Sequence, residues 1–423
     1  MEQKNHDAAG LRRVVSRWQI VGLALNDVIG SGIYLLPAAA AALLGPFSLW
    51  AVLVAGLAVL LVVLCFAEAS SHFDGPGSAY LYARTAFGDF IGFEVGWMTW
   101  LARVSSVASL SVGFAQALSY LWPAVESGWG RGFAISLPLI TLTAINVVGV
   151  RSGVRAAMFL VIAKLVPLLM FVFAGFFFVS FDTVTGQPAG DGRFGRAALL
   201  LLFAYAGFEN TPAPAGEYRN PRRDVPFALL AHIAVVTMIY FAVQLVALGT
   251  LPDVAQSSTP LADAAAGFLG SWAGWVMTVG AALSILGTKS NTILAGPRYL
   301  YALAKDGYGP AFLARVHPRY RTPAAAIVVQ TAIALPLALT GSFVELAALS
   351  VVARLSTYLG TAAAVPILRR KLPASGVRLP GGPAIPLAAV ALSVGLAASA
   401  SVQNLLAAGA ALVVGAGIYR FRR

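Results

Sequence analysis

The stretch Asn26-Asp27-Val28-Ile29-Gly30-Ser31-Gly32-Ile33-Tyr34-Leu35-Leu36-Pro37 interrupts an apolar run that extends from 18 to 44. Gly30 and Gly32 withdraw helix propensity at the middle of that run, and Pro37 removes an N–H donor soon after. A second run, 196–217, is broken in the same manner at Gly207, with Pro212 and Pro214 behind it. In hydrocarbon an unsatisfied backbone group costs several kcal/mol, so a broken helix survives only against protein or a watery cavity. A single break reads as a kink, because Gly and Pro are common in membrane helices. Two breaks at related places carry more.

The surrounding composition makes the bilayer the solvent. Of 423 residues, 59% are hydrophobic and 11% charged, whereas soluble domains carry roughly 25% charged residues. The mean hydropathy is +0.80. Twelve apolar runs can be placed, at 18–44, 48–72, 89–122, 132–150, 156–181, 196–217, 227–250, 271–304, 323–340, 343–368, 384–400 and 402–419. The interrupted runs are then the first and the sixth. An odd offset sends them through the membrane in opposite directions, as an inverted five-plus-five repeat requires, and such breaks mark a substrate site. The expected fold is an all-α polytopic membrane protein of 12 transmembrane helices with helices 1 and 6 broken. Its parts are an N-terminal tail (1–17), repeat 1 (18–181), repeat 2 (196–368) and two added helices (384–419).

The formal charge of +12 would suit a nucleic-acid binder if it were clustered. It is not. With the N-terminus inside, 21 of the 29 Lys and Arg fall in cytoplasmic segments and three on the outer side: Arg131, Arg193 and Arg196, the last at the outer edge of the sixth run. The other five, Arg103, Lys164, Lys289, Arg298 and Arg354, lie within spans. This is the positive-inside bias; it predicts cytoplasmic termini and needs no nucleic acid. Cys65 is the lone cysteine and the four histidines are scattered, so neither a disulfide nor a metal site is expected. No nucleophile–base grouping or phosphate-cradling loop stands out, no cofactor is implied, and an enzyme is not expected. The outer connections around 182–195 and 251–270, rich in Gly, Pro, Ser and Asp, read as loops.

Four motifs in order resemble the amino acid permeases of the amino acid–polyamine–organocation superfamily. They are Gly30-Ser31-Gly32-Ile33-Tyr34 in the first span and Gly77-Ser78-Ala79-Tyr80-Leu81-Tyr82-Ala83-Arg84 after the second. Gly207-Phe208-Glu209 running into Ala215-Gly216-Glu217-Tyr218-Arg219-Asn220-Pro221 follows, and then Arg298-Tyr299-Leu300-Tyr301-Ala302-Leu303-Ala304-Lys305-Asp306-Gly307. The resemblance implies a leucine-transporter-like fold and a secondary transporter working by alternating access. Its partners would be an amino acid or related amine, protons and the lipid bilayer, in an inner or plasma membrane.

An amino acid brings a carboxylate and an ammonium. Free N–H groups opening the outer half of span one, around Gly30, Ser31 and Gly32, suit the carboxylate. Carbonyls ending the inner half, near Asp27 and Val28, suit the ammonium, as do those of Phe203, Ala206 and Gly207. Phe203, Tyr205 and Phe208 either gate the substrate or pack; the resemblance places a gating aromatic at Phe203.

Ionisable residues within a membrane are costly and usually functional. Lys164, deep in span five, either snorkels to the cytoplasmic interface or fills the space where sodium-coupled relatives hold an ion, gaining and losing a proton during the cycle. The matching lysine of proton-coupled family members supports the second. Glu209 either relays a proton or caps N–H groups of the half-helix that follows it. Thr288 and Ser290 keep a sodium site open, which Lys289 between them would oppose. Arg354 needs a partner that the sequence does not name. Asp27 and Arg103 depart from the family pattern. They are expected to form one buried ion pair beside the substrate, the alternative being separate partners, such as Glu209 or Lys164 for one of them. The function so read is proton-coupled transport of amino acids or amines. A proton-independent exchanger is the alternative, and a receptor or scaffold the rival from another class.

Overall fold

A computed structural model describes residues 15–74, 78–148, 154–185, 194–373 and 376–421. Most of the N-terminal tail (1–14), Gly77 of the second motif, Arg193 and the terminal Arg423 lie outside the described residues. Helices are the regular structure of the described residues, apart from one isolated bridge between Val15 and Tyr218. In order come α1 (Arg17–Val28), α2 (Ser31–Leu44), α3 (Ser48–Ser71), α4 (Ser78–Phe87), α5 (Asp89–Leu118), α6 (Gly128–Val148), α7 (Val154–Gly175) and α8 (Phe181–Val184). Then come α9 (Phe194–Tyr205), α10 (Pro221–Thr250), α11 (Pro260–Leu269), α12 (Ser271–Lys305), α13 (Ala324–Thr340), α14 (Phe343–Lys371), α15 (Ala384–Ala398) and α16 (Val402–Arg420).

Among the described residues, eight helical stretches are long and apolar enough to cross a membrane, and four shorter apolar helices accompany them. The long helices track the apolar runs of the sequence closely. The first run divides where expected: α1 stops at Val28, Ile29 is extended, and α2 begins at Ser31.

Two expectations need correction. Span six does not resume as a helix after its break. Beyond Tyr205 there are only 3-10 turns, Phe208–Asn210 and Ala215–Glu217, until α10. Pro212 and Pro214 remove two donors there, and Gly207 at φ +133° turns the chain away from helical geometry. The connection 251–270 is not all loop either. Pro260 opens α11 with its missing donor at a position that needs none. Asp263 accepts from Thr259 at 3.1 Å and from Ser257, and Gly270 at φ +91° ends the helix.

The core is organised around α5, which packs on α12 and α14, while α3 packs on α10. Helices α5 and α14 meet through small hydroxyls. Thr99 and Thr357 are 2.7 Å apart, as are Ser106 and Ser350, and Ser109 donates to the Phe343 carbonyl at 3.0 Å. Small and hydroxylated residues let membrane helices approach closely. Arg103 and Arg354 project from this seam, which fixes them side by side.

Candidate functional site

The two breaks meet. A Cβ added to Gly207 would lie 2.9 Å from the Asp27 carbonyl oxygen, and one added to Gly32 would lie 2.6 Å from the Ala204 Cα. The half-helices therefore touch backbone to backbone. Gly32→Ala should force α2 and α9 apart at a cost of roughly 1–3 kcal/mol of overpacking. Thermal unfolding of the purified protein checks this; an unchanged melting temperature would mean the contact is loose.

Carbonyls freed by the first break are claimed from behind. The Lys164 ammonium, fully buried on α7, donates to the carbonyls of Asn26 at 2.9 Å and Ile29 at 2.7 Å. Ser284 donates to Ile29 at 2.9 Å, and the Thr288 hydroxyl reaches both carbonyls at 3.2 Å. Lys164 does not snorkel. The Tyr240 hydroxyl, on α10, reaches the carbonyls of Val28 at 3.2 Å and Ala204 at 2.9 Å, so it ties one break to the other. The first turn of α2 keeps the free N–H groups of any helix start, and the Ser31 hydroxyl beside them has no partner among the described residues.

The charged residues gather at the second break. Glu209 accepts from the Gly207 N–H at 2.9 Å, from Arg103 at 3.0 Å and from Arg354. Arg354 also donates to Ser106 at 2.6 Å and Ser350 at 3.1 Å. Asn210, next in the chain, accepts from Arg103 through Oδ1 and donates to Asp27 Oδ2 at 3.2 Å through Nδ2. Asn291 donates to Asp27 Oδ1 at 2.8 Å. Asp27 and Arg103 thus form no direct ion pair among the described residues. They take separate partners, with the Asn210 amide between them, because the turn at 208–210 carries Glu209 closer to Arg103 than α1 brings Asp27.

A small central cavity of about 30 Å³ sits at the crossing, room for about two waters. Asp27, Val28, Gly30, Ser31, Gly32, Arg103, Phe203, Ala206 and Gly207 all border it, so nearly every residue singled out for binding converges there. Tyr205 does not: its hydroxyl donates to the Val52 carbonyl at 3.0 Å and its ring packs on Tyr240. Phe208 stacks on Tyr358 and meets Phe66 edge-on, which makes it packing. Sequence reasoning missed Asn210, Asn291 and Tyr240, whose uncharged side chains give no cost signal within an apolar run.

Larger cavities lie on either side. One of about 410 Å³, on the N-terminal side of the first break, shares Asp27 and Asn210 with the centre. Another of about 390 Å³ lies beyond Phe343. Phe203, on the central cavity, meets Phe343 edge-to-face with ring centroids 5.8 Å apart. An aromatic pair therefore stands between the centre and that cavity, and an amide–carboxylate bridge between the centre and the other.

Residues 15–416 match the amino acid permease family. The chain belongs to that family. The permease is thus an integral membrane protein that moves amino acids, and not an enzyme. It is 28% identical to a serine/threonine exchanger of Bacillus subtilis, covering 96% of this chain and 95% of the relative. It is 27% identical to a branched-chain amino acid permease of the same organism, over 89% and 85% of the two chains. A methylthioribose transporter, also from Bacillus subtilis, is 28% identical over 89% and 86%.

Proposed function

We propose that the permease is a proton-coupled secondary transporter of amino acids or related amines, working by alternating access. The proposal takes 12 spans, with repeats at 18–181 and 196–368 and added helices over 384–419, in an inner or plasma membrane with both termini cytoplasmic. The observation that carries it is Lys164. An ammonium lodged on the Asn26 and Ile29 carbonyls occupies the place a monovalent cation would take against the first break, with Ser284 and Thr288 as its neighbours. A lysine there is a tethered cation whose charge can be removed by a proton leaving, so the break can lose and regain its counter-charge once per cycle. Glu209 has no following half-helix to cap; the Gly207 N–H and the two guanidiniums on its carboxylate favour a role as their shared counter-charge over a relay.

The substrate carboxylate belongs at the start of α2, where free N–H groups and the helix dipole converge on Gly30, Ser31 and Gly32. Its ammonium belongs beside Asp27, whose carboxylate borders the cavity and holds only amide donors. Admitting an amino acid requires the central cavity to widen, and the Phe203–Phe343 contact is the part that separates it from one neighbouring cavity. The bias of 21 cytoplasmic to three outer Lys and Arg supports the orientation. A reporter fused after Arg423 should be active only on the cytoplasmic side.

A second reading, a proton-independent exchanger, is favoured by the serine/threonine exchanger covering almost the whole chain. Proteoliposomes separate the two. A proton-coupled carrier should accumulate labelled amino acid when only a pH gradient is imposed. An exchanger should take up label only against preloaded amino acid. Absence of both would remove the transport reading.

A further inference from the structure

One part of the central cavity wall, joined to Asp27 through the Asn210 amide, is built from donors. Arg103 and Arg354 both border it, both are buried to 3% exposure, and both converge on a single oxygen, Oε1 of Glu209. Neither Nε–H has an acceptor among the described residues. Arg103 hydrogen-bonds through Nη2, to Glu209 and Asn210. Serines 106 and 350 already accept from Arg354 and share a hydrogen bond with each other. Two buried guanidinium groups thus converge on one carboxylate, with the Asp27 carboxylate an amide away, and an unmatched buried charge is costly.

We infer that the substrate side chain carries a carboxylate, making the permease a carrier of acidic amino acids, with Arg103 and Arg354 as the residues that select it. The inference rests on the transport reading given above. With the ammonium at Asp27 and the α-carboxylate at the start of α2, the side chain is left facing the arginines. A carboxylate is acceptor-only and can take two parallel N–H bonds from a guanidinium, whereas an amide brings two further donors to a wall that already lacks acceptors. Every charge then has an opposite. Asp27 meets the ammonium, the helix start meets the α-carboxylate, and the two guanidiniums meet Glu209 and the side chain. Lys164 and Lys289 do not border the cavity and leave this balance unaltered.

The test is counterflow in proteoliposomes with L-glutamate, L-aspartate, L-glutamine, L-serine, L-leucine and L-arginine, alongside thermal stabilisation of the detergent-purified wild type by each. An acidic amino acid should half-saturate exchange at a concentration at least tenfold below glutamine, and should stabilise the protein most. Arg103→Gln leaves Arg354 and Glu209 as a balanced pair and should erase that preference. Exchange of neutral or cationic amino acids with glutamate and aspartate no better than glutamine overturns the inference and leaves the transport reading standing. Failure of every amino acid to exchange overturns both. Should Arg103→Gln fail to fold, the wild-type ratios and stabilisation series decide the matter alone.

Discussion

Lys164→Ala should abolish accumulation driven by a pH gradient, lowering the steady-state ratio of internal to external substrate at least tenfold, to that of passive equilibration. Among the described residues, the ammonium is the one charged donor on the Asn26 and Ile29 carbonyls. Ser284 and Thr288 remain to bond them when it is gone, so the break keeps its shape without the titratable group. Counterflow without a gradient should therefore survive in the same preparation, which distinguishes lost coupling from lost folding. Normal gradient-driven accumulation by the variant would end the coupling role proposed for this lysine.

Glu209→Gln should be among the most damaging conservative changes in the chain. It removes the carboxylate between Arg103 and Arg354 and leaves two buried guanidiniums facing each other, at roughly 3–5 kcal/mol for a broken buried pair. A double-mutant cycle on thermal stability gives the sharper reading. Glu209→Gln with Arg103→Gln should be strongly non-additive, because the two side chains touch at 3.0 Å. Asp27→Asn with Arg103→Gln should show a smaller coupling, about 0.5–1 kcal/mol, since the two residues meet only through the Asn210 amide they share. The reverse order of coupling energies would mean that Asp27, not Glu209, neutralises Arg103.

Helix positions were legible because apolar runs of spanning length can do little else in a bilayer, and the first break because Gly30 and Gly32 sit in the middle of one. The convergence of the breaks was legible from their offset. Individual pairings were not. Depth along a helix told that Asp27 and Arg103 lie at similar levels, but the turn after Gly207, entered at positive φ, decides which carboxylate reaches Arg103. Tyr205 illustrates another limit: on a helix fragment one residue's rotation separates a cavity wall from a contact with α3. Arg354 was recognisably in need of a partner, yet the partner comes from a segment more than a hundred residues away, which no local pattern reports.

The contact between Gly32 and Ala204 has a mechanical side. Where helices pack through interdigitated side chains, tilting one past the other lifts each knob out of its hole, and the cost grows with every knob. At this point α2 and α9 meet with a hydrogen on one surface and the backbone and methyl of an alanine on the other. Such a surface has almost no relief to lift over. The crossing can serve as a fulcrum, about which the arms on either side swing while the point of contact, and the binding groups beside it, stay nearly still.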